Sequence, residues 1–376
     1  MSTVAPETNG SPAKDLFTIK GTHHLEFFVG NAKQAAYFYR RAFGFELFAY
    51  SGPETGVREA CSYALRQGKI VLVLTTPLVP NHQANDFMRN HGDGVRDIAM
   101  HVEDAEEAFR ITTERGAKAV AAPHGIEDKN GKVKLATIAT YGDTVHTFVE
   151  RGTDYNGPFL PHFEAREDNG LGTPVGLQFV DHVVGNVSWD EMNNTVEFYK
   201  NVFGFSRFVS FDDKDISTEY TALRSTVVAN ENRWIKFPIN EPAEGLRKSQ
   251  IEEYVEFNNG PGVQHIAMHT SDIISTVAAL RQNGVDFLET PDAYYVELKE
   301  RVGDIDEDIE RLRSLKILVD RDDKGYMLQL FTKPLEDRPT LFIEIIQRRG
   351  AESFGKGNFK ALFESIEREQ ELRGNL

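Results

Sequence analysis

Hydrophobic positions along this chain switch between two periods in a fixed order, and the order recurs. LEFFV (25–29) and QFVDHVV (178–184) have the β-branched and aromatic content of strands. AKQAAYFYRRAF (32–43) then carries apolar residues at helical spacing, closed by Gly44 where a helix commonly stops. Further strand-like runs follow: CSYALRQ (61–67), KIVLVLTT (69–76), VKLATIATYG (133–142) and VHTFVER (145–151). The pattern predicts a βαβββ module.

The module is repeated. GVRDIAMH (94–101) matches GVQHIAMH (262–269), and FYRRAFGFE (38–46) matches FYKNVFGFS (198–206). The octapeptides are followed by similar helices and turns, 103–123 against 271–291. Four modules in two halves are expected, an α+β chain with modules one and two in 16–152 and three and four in 175–376. Between the halves, DYNGPFLPHFEAREDNGLGTP has the Pro, Gly, Asn and Asp content of an irregular linker, taken as 153–174. An insertion at 291–315 occurs only in the second half, and its acidic, amphipathic end predicts a solvated helix.

Composition narrows the function classes. A formal net charge of -16 argues against nucleic-acid or anionic-membrane partners, which require clustered positive charge. It leaves an anionic small substrate open, because a local metal or Arg overrides the global field. The single cysteine, Cys61, cannot form an internal disulfide. Residues 1–15 are rich in Ser, Thr, Pro, Asn and Gly and predict a disordered tail, with no signal-peptide pattern. No apolar stretch approaches the ~20 residues that span a bilayer. A cytoplasmic location is expected.

The octapeptides differ chiefly at Asp97 against His265. Residues 175–376 contain three histidines, His182, His265 and His269. His182 and His265 fall on the first strands of modules three and four, expected to face each other across a half-barrel cavity. Two imidazoles aimed inward suit a divalent transition metal. TLFIEIIQR (340–348) places Glu344 as the one acid in an apolar strand, where a carboxylate costs several kcal/mol unless paired or coordinated. Two imidazoles and one carboxylate form the facial triad of non-haem Fe(II) oxygenases, with three coordination positions left open.

Competing readings exist for each residue. His182 taken alone reads as a hydrogen-bonded core histidine. His269 shares a strand face with His265 and is a rival ligand, although His101 at the matching position assigns it to the common frame. Glu344 is also open to pairing with an Arg. In the first half His24 matches His182, Asp97 replaces His265, and Thr147 or a close neighbour stands at the acid. That half is expected to bind no metal.

DHVVGN, KFPINEP, KSQIEEY, GVQHIA, LQLFTKP, RPTLFIEIIQR and FGKGNFKALFE carry a resemblance that covers the chain after the tail. The chain resembles the 4-hydroxyphenylpyruvate dioxygenases, of the vicinal oxygen chelate (glyoxalase-like) fold. The resemblance implies two half-barrel domains, each of paired modules, and a C-terminal lid helix at about 358–372. It implies one Fe(II) per chain on His182, His265 and Glu344, and a reaction of 4-hydroxyphenylpyruvate with O2 giving homogentisate and CO2. The substrate, itself a 2-oxo acid, would chelate the iron, so no external keto acid is needed.

Ser225, Asn240 and Gln250 match positions near the phenol end of the substrate, and Gln264 and Gln329 match polar positions near the iron and keto acid. Phe331 and Phe359 match aromatic walls, Phe342 and Phe354 residues near the metal, and Asn358 a further substrate-side position. Asn358 is also suited to cap a helix with a Phe359, Leu362, Phe363 and Ile366 stripe, and the FGKG before it to act as a hinge. Any one of these amides or rings also fits a plain packing role. The expected partners are a 2-oxo acid and O2, with a homo-oligomer, dimer or tetramer.

Hydroxymandelate synthase, with the same fold, metal and substrate, is the nearest alternative. Asn240, where that enzyme has an aliphatic residue, and the FGKGN pattern weigh against it. A metal-free ligand-sequestering protein, a glyoxalase-type isomerase and an extradiol dioxygenase remain as more distant alternatives.

Overall fold

The structure is a computed structural model and describes residues 14–212, 218 and 220–375. The first half runs β1 (Ile19–Phe28), α1 (Ala32–Phe43), β2 (Glu46–Ser51), β3 (Ala60–Gln67), β4 (Ile70–Pro77), α2 (Gln83–His91), β5 (Gly94–Val102), α3 (Ala105–Glu114), β6 (Ala119–Asp128), β7 (Gly131–Ala139), β8 (Val145–Arg151) and β9 (Glu164–Ala165). The second runs β10 (Leu177–Asn186), α4 (Met192–Phe203), β11 (Ser206–Phe211), β12 (Ala222–Ala229), β13 (Lys236–Ala243), α5 (Gln250–Asn258) and β14 (Gly262–Thr270). It continues with α6 (Ile273–Gln282), α7 (Ala293–Val296), α8 (Leu298–Val302), α9 (Ile309–Leu315), β15 (Leu318–Arg321), β16 (Tyr326–Phe331), β17 (Phe342–Arg349) and α10 (Phe359–Leu372).

These strands form two sheets of matching order. One is β6-β7-β8-β5-β1-β4-β3-β2-β9 and the other β11-β12-β13-β10-β14-β17-β16-β15. In each, the first strands of two βαβββ modules pair antiparallel at the centre, and each first strand takes its module's last strand as a parallel neighbour. This is the α+β, four-module, two half-barrel architecture expected from the repeats. Helix α1 starts at Asn31, whose side chain accepts the Gln34 N–H, and ends at Gly44 in the left-handed region at φ 74°. A Cβ at Gly44 would lie 2.2 Å from the Thr173 carbonyl oxygen, so packing as well as conformation requires glycine there.

The structure corrects several expectations. His182 and His265 sit on adjacent, hydrogen-bonded strands, β10 and β14, and do not face each other across a cavity. The acidic end of the 291–315 insertion is the expected helix, α9, largely open to solvent with Leu312 buried, but two further short helices precede it and bury Tyr295, Leu298 and Val302. Of the expected tail, residues 1–13 lie outside the described residues. Lys14 and Asp15 are tied to the second half through Gly204, Asn230 and Glu231. Residues 153–174 add β9 to the edge of the first sheet. They also bury Tyr155, Phe159 and Leu160 in its core.

Phe159 packs against the first-half histidines. Its ring centroid lies 5.3 Å from that of His24 and 5.5 Å from that of His23. Asp97 pairs with Val145 as His265 pairs with Phe342, which puts Thr147 at the level of Glu344. The Thr147 N–H donates to Asp97 Oδ1 at 2.9 Å. Burial, and secondarily the nearby Glu26, push the Asp97 carboxyl up to about 7, against the Thr147 hydrogen bond.

The folded protein therefore holds this proton up to about pH 7, whereas the unfolded chain releases it near 4. Stability falls across that window as pH rises, because the native state binds more protons there. Asp97→Asn keeps the acceptor and removes the charge. Its stability relative to wild type should grow from pH 5 to pH 8 by on the order of 3 kcal/mol. A stability difference that is flat between thermal melts at pH 5 and pH 8 would contradict this assignment.

Candidate metal centre

His182, His265 and Glu344 converge on one point. All three are buried, and one ligand atom from each lies within 4.8 Å of the others. Nε2 of His182 is 3.1 Å from Glu344 Oε2, and Nε2 of His265 is 3.3 Å from the same oxygen. Cis ligands about 2.1 Å from a common metal stand about 3 Å apart, so the donor set fits a divalent ion.

The ladder explains how strand residues achieve this convergence. β10 and β14 are out of step by one residue at Asp181, and again at Gln264. Each irregularity is a β-bulge, which breaks strict alternation and lets neighbouring side chains meet. Asp181 Oδ1 thereby takes the Nδ1–H of His182 at 2.7 Å, and Gln264 Oε1 takes the Nδ1–H of His265 at 3.0 Å. With both Nδ1 atoms engaged, both Nε2 atoms are the free ligands.

Glu344 offers a single oxygen. Its Oε1 accepts from Gln329 Nε2 at 2.9 Å, Gln329 Oε1 accepts from Asn358 Nδ2 at 2.9 Å, and Asn358 Oδ1 accepts the Tyr294 hydroxyl at 2.6 Å. Asn358 therefore stands behind Gln329 and outside the cavity lining, and its side chain does not cap α10. That corrects the capping expectation for this residue. Its amide is engaged by the chain of hydrogen bonds that joins the site to the start of α10. At Gly355, φ is 77°, and a Cβ would lie 2.1 Å from Gln329 Oε1. The glycine lets this segment pass close behind the site.

Around the triad lies a cavity. Ser225, Asn240, Gln250, Gln264, Gln329, Phe331, Phe342, Phe354 and Phe359 all line it. Ser225 pairs with Asn240 across β12 and β13, and Asn240 with Asn186 across β13 and β10. Asn186 is four residues along β10 from His182, roughly 13 Å at the rise of a strand. One polar group is thus set well apart from the metal end. Phe342 stacks on His265 at 4.7 Å, and Phe354 meets His182 edge-on at 5.1 Å. α10 contributes Phe359, Leu362 and Phe363 to the cavity.

His269 takes no part. It stacks on Phe179 at 4.4 Å, with its Nδ1 bonded to Gln178. Sequence reasoning missed Asp181 and Arg348, although both stand inside quoted motifs, DHVVGN and RPTLFIEIIQR. It also missed the apolar wall of Val184, Phe211, Leu223, Val227 and Pro238, which carries no distinguishing signal.

Comparison with known proteins decides the family. Residues 17–163 match the family model described as Hydroxyphenylpyruvate dioxygenase, HPPD, N-terminal. Residues 180–330 match that of the Glyoxalase/Bleomycin resistance protein/Dioxygenase superfamily. A 4-hydroxyphenylpyruvate dioxygenase of Aspergillus fumigatus is 49% identical over 100% of this chain and 98% of its own. The chain belongs to the 4-hydroxyphenylpyruvate dioxygenase family.

Within that family, the Danio rerio 4-hydroxyphenylpyruvate dioxygenase is 52% identical over 94% of this chain and 91% of its own. Among solved structures, a triple mutant of 4-hydroxymandelate synthase from Streptomyces coelicolor superposes with a TM-score of 0.84 at 33% identity. The match covers 96% of this chain and 100% of that one. The synthase is thus a more distant relative than the dioxygenases. No helix among the described residues is long and apolar enough to cross a membrane.

Without metal, the triad is an internal ion pair. Burial opposes charge on Glu344, yet the two imidazoles, His182 foremost, hold its carboxyl down at about 2. Burial would lower the His182 pKa, but Glu344 and Asp181 reverse this and raise it above 6.5. Burial lowers that of His265 over the opposing pull of Glu344. A metal must displace the His182 proton wherever that proton is bound. Co(II) affinity of the metal-free protein should therefore rise from pH 6 to pH 8, by up to about tenfold per unit below the His182 pKa. Titrations giving one dissociation constant across that range would show that the proton and the metal do not compete.

Proposed function

We propose that this chain is an Fe(II)-dependent dioxygenase that converts 4-hydroxyphenylpyruvate and O2 to homogentisate and CO2, with one iron per chain. The single observation that carries the reading is the buried His182, His265 and Glu344 cluster opening into an aromatic cavity roofed by α10. His182 Nε2, His265 Nε2 and Glu344 Oε2 would hold the metal, and two imidazoles with one carboxylate are the donor set of iron oxygenases. When bound, Fe(II) supplies open coordination positions for the keto acid and dioxygen, together with the redox capacity for oxidative decarboxylation.

The protein's own residues set the outcome. Gln264 and Gln329 present amides beside the metal ligands, suited to the keto-acid end of the substrate. Ser225, Asn240 and Gln250 are suited to the phenol hydroxyl, with Phe331 and Phe359 against the ring. Asn240 also donates to Asn186 Oδ1 at 3.2 Å, which fixes the amide before substrate arrives. Phe354, Phe359, Leu362 and Phe363 exclude water from the reacting atoms, and α10 opens and closes as the lid. Hydroxylation at the ring carbon that bears the side chain, followed by side-chain migration, yields homogentisate. This product places the reaction in tyrosine and phenylalanine catabolism.

Oxygen uptake with Fe(II) and 4-hydroxyphenylpyruvate, with product identification, tests the reading. Wild type should release homogentisate, and His265→Ala should lose at least about 100-fold in turnover while keeping its fold. A fully active His265→Ala, or hydroxymandelate as the wild-type product, would sink it. Asn240→Leu should raise KM and divert part of the product to hydroxymandelate, since the ring loses a fixed polar partner. An unchanged KM and product ratio would remove Asn240 from the substrate's surroundings.

A further inference from the structure

We infer that Asp181 is the positioning residue for His182: its carboxylate, clamped by Arg348, takes the imidazole Nδ1–H and commits Nε2 to the metal. The inference rests on the metal site proposed above. Asp181 is 2% exposed. Oδ1 accepts from His182 Nδ1 at 2.7 Å and from Arg348 Nη2 at 2.9 Å, and Oδ2 accepts from Arg348 Nε at 2.8 Å. Lys236 Nζ stands 3.6 Å from Oδ1. A two-bond guanidinium fork fixes the carboxylate plane, and the carboxylate in turn fixes the ring.

The chain contains its own comparison. In the first half the same bulge falls at His23, whose Nδ1 lies 2.7 Å from Nδ1 of His24. Arg348 has a counterpart there too, because Thr147 lies at the level of Glu344 and Arg151 four residues later. Arg151 sits over the Tyr155 ring and donates to the Gly157 carbonyl, as Arg348 sits over Phe354 and donates to the Ser353 carbonyl. The bulge and the arginine are therefore common frame. The carboxylate is present only in the half that assembles His182, His265 and Glu344.

The two ligands also differ from one another. His182 is oriented by a charged acceptor, whereas His265 is oriented by the neutral amide of Gln264. A carboxylate behind a ligating imidazole makes it the more basic donor and holds its tautomer. Arg348 extends the link, since it grips the Ala351 and Ser353 carbonyls just before Phe354, and the Phe354 ring rests on His182. The same ion pair thus orients a metal ligand and anchors the approach to the lid.

Co(II) titration of metal-free protein, read by the metal's visible absorption, tests this without turnover. Asp181→Asn should weaken binding by about 10- to 100-fold and alter the Co(II) spectrum. Asp97→Asn, a buried change at the matching sheet of the other half, should leave both unchanged. If Asp181→Asn does not fold, Asp181→Leu with Arg348→Met removes both charges together and should show the same loss. In the wild type itself, 15N-histidine spectra of the Zn(II) form should show a slowly exchanging Nδ1–H on His182. Native affinity in a folded Asp181 variant, or no such proton in the wild type, overturns the inference. Wild-type protein that binds no metal would instead overturn the metal site on which it rests.

Discussion

A carboxylate held at 1% exposure must be compensated, and much of the second sheet is arranged to compensate Glu344. One of its oxygens is closed off by Gln329, and the other is shared by two imidazoles. Those imidazoles are oriented from behind by Asp181 and Gln264. Gln329 is held by Asn358 at the root of α10, and Asp181 by Arg348. The compensation of this one charge thus draws on two strands beside β17, on the residues at two bulges and on the segment that leads into α10.

The two halves show what changes when one frame is used for support and for chemistry. Sheet order, central pairing, bulges and helix stops are retained. At the centre, His23 stands for Asp181, Asp97 for His265 and Thr147 for Glu344. These substitutions replace the second imidazole by an acid and the triad's carboxylate by a threonine, and the Phe159 ring packs edge-on against His24. Asp97 then remains as a buried acid satisfied by one backbone N–H and stabilised by keeping its proton. The second half has a cavity beside the matching positions, and α10 covers it.

Much of this was readable in the sequence, for identifiable reasons. The modules showed because their hydrophobic periods switch in a repeated order, and the matched octapeptides aligned the halves. Glu344 showed because an acid in LFIEII is costly without a partner. Strand adjacency was misread, since a period-two pattern reports which face a residue takes and not which strand lies next to it. Asp181 and Arg348 were missed for the same reason: strict alternation puts neighbours on opposite faces, and a bulge leaves no mark in composition. The helical end of the 291–315 insertion showed in its amphipathic pattern, whereas the apolar residues that anchor the rest of it were hidden among its charges. Asn358 occupies a capping position, but its side chain is drawn inward by Gln329 and Tyr294.

One frame is present twice in this chain, and the proposed function has it hold metal once. Crystals grown anaerobically with Fe(II) and measured on both sides of the iron absorption edge test this most directly. The account predicts one anomalous peak per chain, within bonding distance of His182 Nε2, His265 Nε2 and Glu344 Oε2. A peak beside His24 and Asp97, or no peak at the Glu344 site, would contradict it.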